Sequence, residues 1–143
     1  MKEERIFFFN EDTTYQLRQR KDIRYWLSKV ARKEKHSIIE LNYIFCSDEH
    51  LLQINNDYLK HDYYTDIITF DNSEKKGSIE GDIFISIDRV RENAASQKSS
   101  IKDELHRVMV HGLLHLTGYK DKTAAEKETM RKKEDSSLSL RAF

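Results

Sequence analysis

The apolar residues recur with different periods along the chain, and the changes of period mark its elements. Arg5 to Phe9 is a short apolar run that predicts a buried strand. From Lys21 to Lys35, Ile23, Trp26, Leu27, Val30 and Ala31 return at helical spacing. Ser37 to Cys46 is dense in branched and aromatic residues and predicts a second strand. Ser47 suits a helix N-cap, with Asp48 and Glu49 in the first turn, and that helix is expected to bury Leu51, Leu52, Ile54 and Tyr58. Ile67 to Phe70 and Ile79 to Ile87 predict two more strands joined by the polar Asn72–Ser78 loop. A helix over Ile87–Gln97 follows, with Val90 and Ala94 inward. Ser99 or Ser100 caps the next helix, Ser100 with Asp103 approximating an acidic capping box. A charged helix, Lys122–Leu138, N-capped by Thr123, closes the series, and the tail SLSLRAF takes no assignment. Strands mixed with helices, without strict alternation, indicate an α+β fold. The expectation is one domain over residues 1–143, a small mixed four-stranded sheet packed with about five helices.

One predicted helix carries chemistry as well as core. In ELHRVMVHGLLHLTGYKD, from Glu104 to Asp121, the residues Leu105, Val108, Met109, Gly112 and Leu116 make one apolar stripe. Glu104, His111 and His115 line an edge of it. Residues four apart lie one turn apart on the same face, so two imidazoles there can share a metal ion. Gly118 readily takes the left-handed conformation that ends a helix, and the chain can then bring Asp121 back toward the same point. The expected metal site therefore lies at the end of the HxxxH helix, with His111, His115 and Asp121 as ligands. By itself the HxxxH spacing also fits two polar residues at the rim of a core. Gly112 stands where the HExxH motif has its glutamate base, which argues against a zincin-type protease.

Charge and composition narrow the partners. The chain has 25 Lys and Arg against 25 Asp and Glu, a formal net charge of +0, so any nucleic-acid surface must be local. The basic face of the Lys21–Lys35 helix supplies Arg24, Arg32 and Lys33 as candidates to meet phosphates, although such a face is commonly just solvated. The single Cys46 excludes an intramolecular disulfide and reads as a buried thiol in a reducing compartment. No apolar run is long enough for a signal peptide or membrane span, so a soluble cytoplasmic protein is expected.

The segment HGLLHLTGYKD resembles the signature H-G-x-L-H-L-x-G-Y-D-H of the YbeY family of bacterial metalloendoribonucleases, in register at His111, Gly112, Leu114, His115, Leu116, Gly118 and Tyr119. Upstream, INNDYLKHDYYTDIITF is similar to the family's L-N-x-x-Y-R-x-x-D-x-x-T-D-V-L-S-F at Asn55, Tyr58, Asp62, Thr65, Asp66 and Phe70. GDIFIS from Gly81, the Glu104–Leu105 pair, and Glu126 and Met130 in the last helix resemble further family positions. Two positions depart. The family's third ligand histidine falls at Asp121, whose carboxylate is an accepted zinc ligand. A family arginine falls at Leu59, which cannot donate to phosphate; Lys60 or His61 are the neighbours to take its place.

The resemblance implies a zinc-dependent endoribonuclease specific for single-stranded RNA. Its implied roles are maturation of the 3′ end of small-subunit (16S) ribosomal RNA and ribosome quality control. One Zn2+ per chain is expected, with Ni2+, Mn2+ or iron also suited to two nitrogens and one carboxylate. Ribosomal proteins or GTPases are the partners the family suggests. Lys60, His61, Glu104 and Asp66 are the catalytic candidates, with Asp82 a further carboxylate to consider; Lys60 and Lys120 join Arg24, Arg32 and Lys33 as RNA-binding candidates. A non-catalytic RNA-binding module with a structural metal, or a different metal-dependent hydrolase on the same fold, are the alternative readings.

Overall fold

A computed structural model describes residues 5–61 and 64–143; Asp62, one of the positions that carry the resemblance, lies outside them. The element order is β1 (Ile6–Asn10), α1 (Arg20–Lys33), β2 (Ser37–Cys46), α2 (Asp48–Leu59), β3 (Ile67–Asp71), β4 (Ser78–Ser86), α3 (Ile87–Gln97), α4 (Ile101–Leu116) and α5 (Ala124–Leu138). The strands form one mixed sheet in the order β1-β2-β4-β3. The loop after β3 is too short for a crossover, so β3 pairs with β4 antiparallel, Thr69 opposite Ile83. The helical connection between β1 and β2 permits their parallel pairing, and β2 with β4 is parallel too. This is the expected α+β architecture.

The helix ends follow local chemistry. The hydroxyls of Ser47, Ser86, Ser100 and Thr123 each accept a hydrogen bond from a backbone N–H in the first turn of α2, α3, α4 and α5. Thr123 and Glu126 complete a reciprocal capping box, which gives Glu126 a structural task. Of the box expected from Ser100 and Asp103, the Ser100 half forms, and the Asp103 carboxylate accepts from Arg141.

Helix α4 is the central element. Its expected stripe faces the sheet, but Val110, Leu113, Leu114 and His106 are buried as well. The reason is tertiary: α1, α5 and the C-terminal tail cover the side that a two-layer packing would leave open. Gly112 marks the closest approach to the sheet. A Cβ there would lie 2.9 Å from both Ile67 Cδ1 and Ile83 Cδ1, so any larger residue would have to push those isoleucine side chains aside. The buried Tyr43 hydroxyl on β2 donates to the Met109 carbonyl at 2.8 Å and holds the same contact from below. The unassigned tail proves to be part of the core: Trp26 Nε1 donates to the Ser137 carbonyl, and Leu138, Leu140 and Phe143 pack on the main cluster. Cys46 is buried beside Leu51 and Ile68 under α2, as expected of a structural thiol. Of the four residues expected to be buried by α2, only Leu51 is; Leu52 and Ile54 are half-buried, and Tyr58 departs furthest. It is 70% exposed and only its ring edge meets Phe70, while Asn55 takes the inward position.

Candidate metal centre

The C-terminal turn of α4 fixes two of the expected ligands and aims the third. Gly118, at φ +114, occupies the left-handed position after Thr117. Its N–H donates to the His115 carbonyl and that of Tyr119 to Leu114, the paired bonds of a Schellman ending. Tyr119 is then pinned from two sides: its hydroxyl bonds Glu34, just past the end of α1, and Lys133 on α5 lies over its ring. Between this anchor and the capped start of α5 the chain has little freedom, and Asp121 turns inward.

The three expected ligands converge. Asp121 Oδ2 lies 3.2 Å from His111 Nε2 and Asp121 Oδ1 lies 3.4 Å from His115 Nε2. One ligand atom from each residue falls within 4.8 Å of the others, a set that could hold a metal ion. The proton inventory favours a cation among them. Glu134 Oε2 accepts from His111 Nδ1 at 2.6 Å, so that nitrogen carries the hydrogen and Nε2 presents a lone pair. That lone pair faces a carboxylate, an arrangement satisfied only by a further proton or by a cation between them. With a cation in place of that proton, two neutral imidazoles and one carboxylate would make a donor set for a divalent ion.

Glu134 was not apparent in the sequence. It sits on α5 one turn after the buried Met130 and is buried itself, and Arg107 Nη1 donates to its other oxygen at 2.8 Å. The available signal was a charged residue continuing the inward stripe of a mostly solvated helix, a pattern that calls for a buried partner. Burial opposes charge on both members of the Glu134–His111 pair. The hydrogen bonds and opposite charges outweigh it, holding Glu134 below and His111 above their ordinary pKa values. His115 shifts down, through burial first and then the neighbouring charge on His111.

The ligands open into a cleft of about 480 Å³ whose walls include Thr65, Asp66, Glu104, Arg107, Arg131 and Glu134. Burial raises the pKa of both Asp66 and Glu104; for Glu104 the charge of Asp66 adds to it, while Arg107 and Arg131 oppose it. Lys60 and His61 do not line this cleft. Asp82 lies elsewhere on the sheet, bonded to Asn42 and Asn72. Arg24 and Arg32 line a separate groove of about 920 Å³ beside β1, where Arg24 Nε donates to the Ile6 carbonyl and its guanidinium covers Phe8. Lys33 borders a third, smaller recess, and Lys120 is exposed beside Asp121. The basic candidates are therefore spread over several surfaces.

Fold and cluster together place the chain among α+β proteins whose central helix carries a set of donors able to hold a divalent ion. Comparison with known proteins narrows this class. Residues 6–141 match the family described as Endoribonuclease YbeY. Over its full length the chain is 76% identical to a protein of Cytophaga hutchinsonii with that name, covering 100% of each. A namesake in Christiangramia forsetii is 45% identical over 140 residues, covering 98% of this chain and 96% of the other. The solution structure of a Thermotoga maritima protein shares the fold, with a TM-score of 0.66 at 24% identity over 94% of this chain and 87% of that one. The chain belongs to the endoribonuclease YbeY family, and that membership supports an endoribonuclease role, with RNA as substrate. Among the described residues, no helix is long and apolar enough to cross a membrane.

Proposed function

We propose that residues 1–143 form a single metallohydrolase domain that cuts single-stranded RNA and uses zinc, one ion per chain. The convergence of His111, His115 and Asp121 at the mouth of a cleft carries this reading. Bound there, a divalent ion supplies Lewis acidity toward a phosphoryl oxygen and toward water. The chain supplies the rest. His111 and His115 offer Nε2 lone pairs, and Glu134 fixes the tautomer and orientation of His111. Arg107 holds Glu134 in place while also binding Asp135 at 2.6 Å. Asp66, a half-buried carboxyl with raised proton affinity at the cleft wall, is the group suited to hold or pass a proton during cleavage.

The proposed substrate is the 3′ end of small-subunit ribosomal RNA, with the protein working in the cytoplasm beside ribosomal proteins or GTPases and contributing to ribosome quality control. This rests on the family resemblance. A non-catalytic RNA-binding module is the second reading, favoured by Leu59 standing where the family has an arginine. Elemental analysis of protein purified without chelators, followed by cleavage of labelled single-stranded RNA beside a His115→Ala control, tests both. Metal-dependent cleavage that vanishes in the control supports the nuclease. Binding of RNA without cleavage supports the module.

A further inference from the structure

The cleft beside the ligands has an unusual balance for a site that receives a polyanion. Asp66, Glu104, Asp121 and Glu134 all line it, with Arg107 and Arg131 as the arginines among them. Arg107 is committed: its two terminal nitrogens bind Glu134 at 2.8 Å and Asp135 at 2.6 Å, and its side chain is mostly buried. Arg131 is exposed and, among the described residues, makes no ion pair. Its natural helix neighbours are occupied. Asp135, four residues on, is held by Arg107, and Glu128, three residues back, pairs with Lys132 at 3.4 Å. Arg131 follows the buried Met130, which anchors that turn of α5, and it precedes by three residues Glu134, the partner of His111, so it shares the cleft-facing side.

We propose that Arg131 is a catalytic residue that grips a non-bridging oxygen of the RNA phosphodiester in the cleft. This rests on the endoribonuclease reading. Each phosphodiester brings a negative charge into a cleft lined by four carboxylates, and a guanidinium not committed to an acid offsets that repulsion. Its planar fork suits two phosphate oxygens at once. Because no ion pair has to break, Arg131 can turn onto the substrate at little cost. The same contact strengthens as charge accumulates on the phosphoryl oxygens during cleavage.

The test compares metal-loaded parent, Arg131→Gln and Arg131→Lys in two assays. One is cleavage of labelled single-stranded RNA; the other is salt-dependent binding of a fluorescent oligodeoxyribonucleotide. Arg131→Gln is expected to lower kcat/KM by roughly tenfold or more and to reduce the slope of log affinity against log salt by about one. Metal content and thermal stability should stay at parental values. Arg131→Lys should keep the salt slope and recover only part of the rate, since a point charge lacks the fork. An Arg131→Gln protein that cleaves within twofold of parent, or binds with an unchanged salt slope, overturns the proposal. A parent that binds the oligonucleotide but cuts no RNA defeats the endoribonuclease reading instead, and the salt slope still decides whether Arg131 meets phosphate.

Discussion

Replacing Glu134 by glutamine keeps the shape of the side chain and removes its charge. The carboxylate now accepts from His111 Nδ1 at 2.6 Å and from Arg107 Nη1 at 2.8 Å, both inside the protein. An amide has one acceptor oxygen and one donor nitrogen, so whichever way it turns, one of these N–H groups faces another N–H. Losing the carboxylate that orients and polarises a ligand histidine costs about 10–100-fold in metal affinity, or about 1.4–2.7 kcal/mol. Two charge-assisted bonds are weakened, but a buried charge is also relieved. The chelated protein should therefore lose only about 1–3 kcal/mol of stability. Zinc affinity measured by chelator competition, at a pH that keeps both histidines neutral, reports the first quantity. Urea unfolding of the metal-free protein reports the second. A folded Glu134→Gln protein whose zinc affinity stays within twofold of parent would refute the assigned role and leave Glu134 as a packing residue.

Other expectations follow from the same geometry. His106 is buried and accepts a hydrogen bond from Arg141, and burial, with the charges of Arg141 and Lys102, pushes its pKa from 6.5 to about 4. Unfolded chains take up that proton below about 6.5 while folded ones resist it until about 4. Stability should thus fall across this window as pH drops, by up to roughly 3 kcal/mol, and His106→Asn should flatten that slope in urea titrations at graded pH. Tyr43→Phe removes the bond to the Met109 carbonyl and should cost about 0.5–1.5 kcal/mol in the same assay, without altering zinc content. Gly118→Ala meets no atom within 4 Å, yet its φ of +114 strains any β-carbon. It should cost about 1 kcal/mol or more and, because the turn delivers Asp121, should also weaken zinc binding in chelator competition.

Local sequence determined most of the elements and the candidate ligand trio. Apolar period and capping residues act within a few positions, so Ser37–Cys46 and Ile87–Gln97 are legible without any knowledge of their neighbours. His111, His115, Gly118 and Asp121 were legible for the same reason: one turn of helix and one glycine ending lie within a single stretch of chain. Tertiary packing decided the rest. His106 and the SLSLRAF tail became core only because α1 and α5 closed over the second side of α4. Glu134 and Arg107 meet across 27 positions of sequence, and Tyr119 and Glu34 across 85. Periodicity carries no information about pairing at such separations, since it records which face a residue occupies and not what the fold later lays against that face.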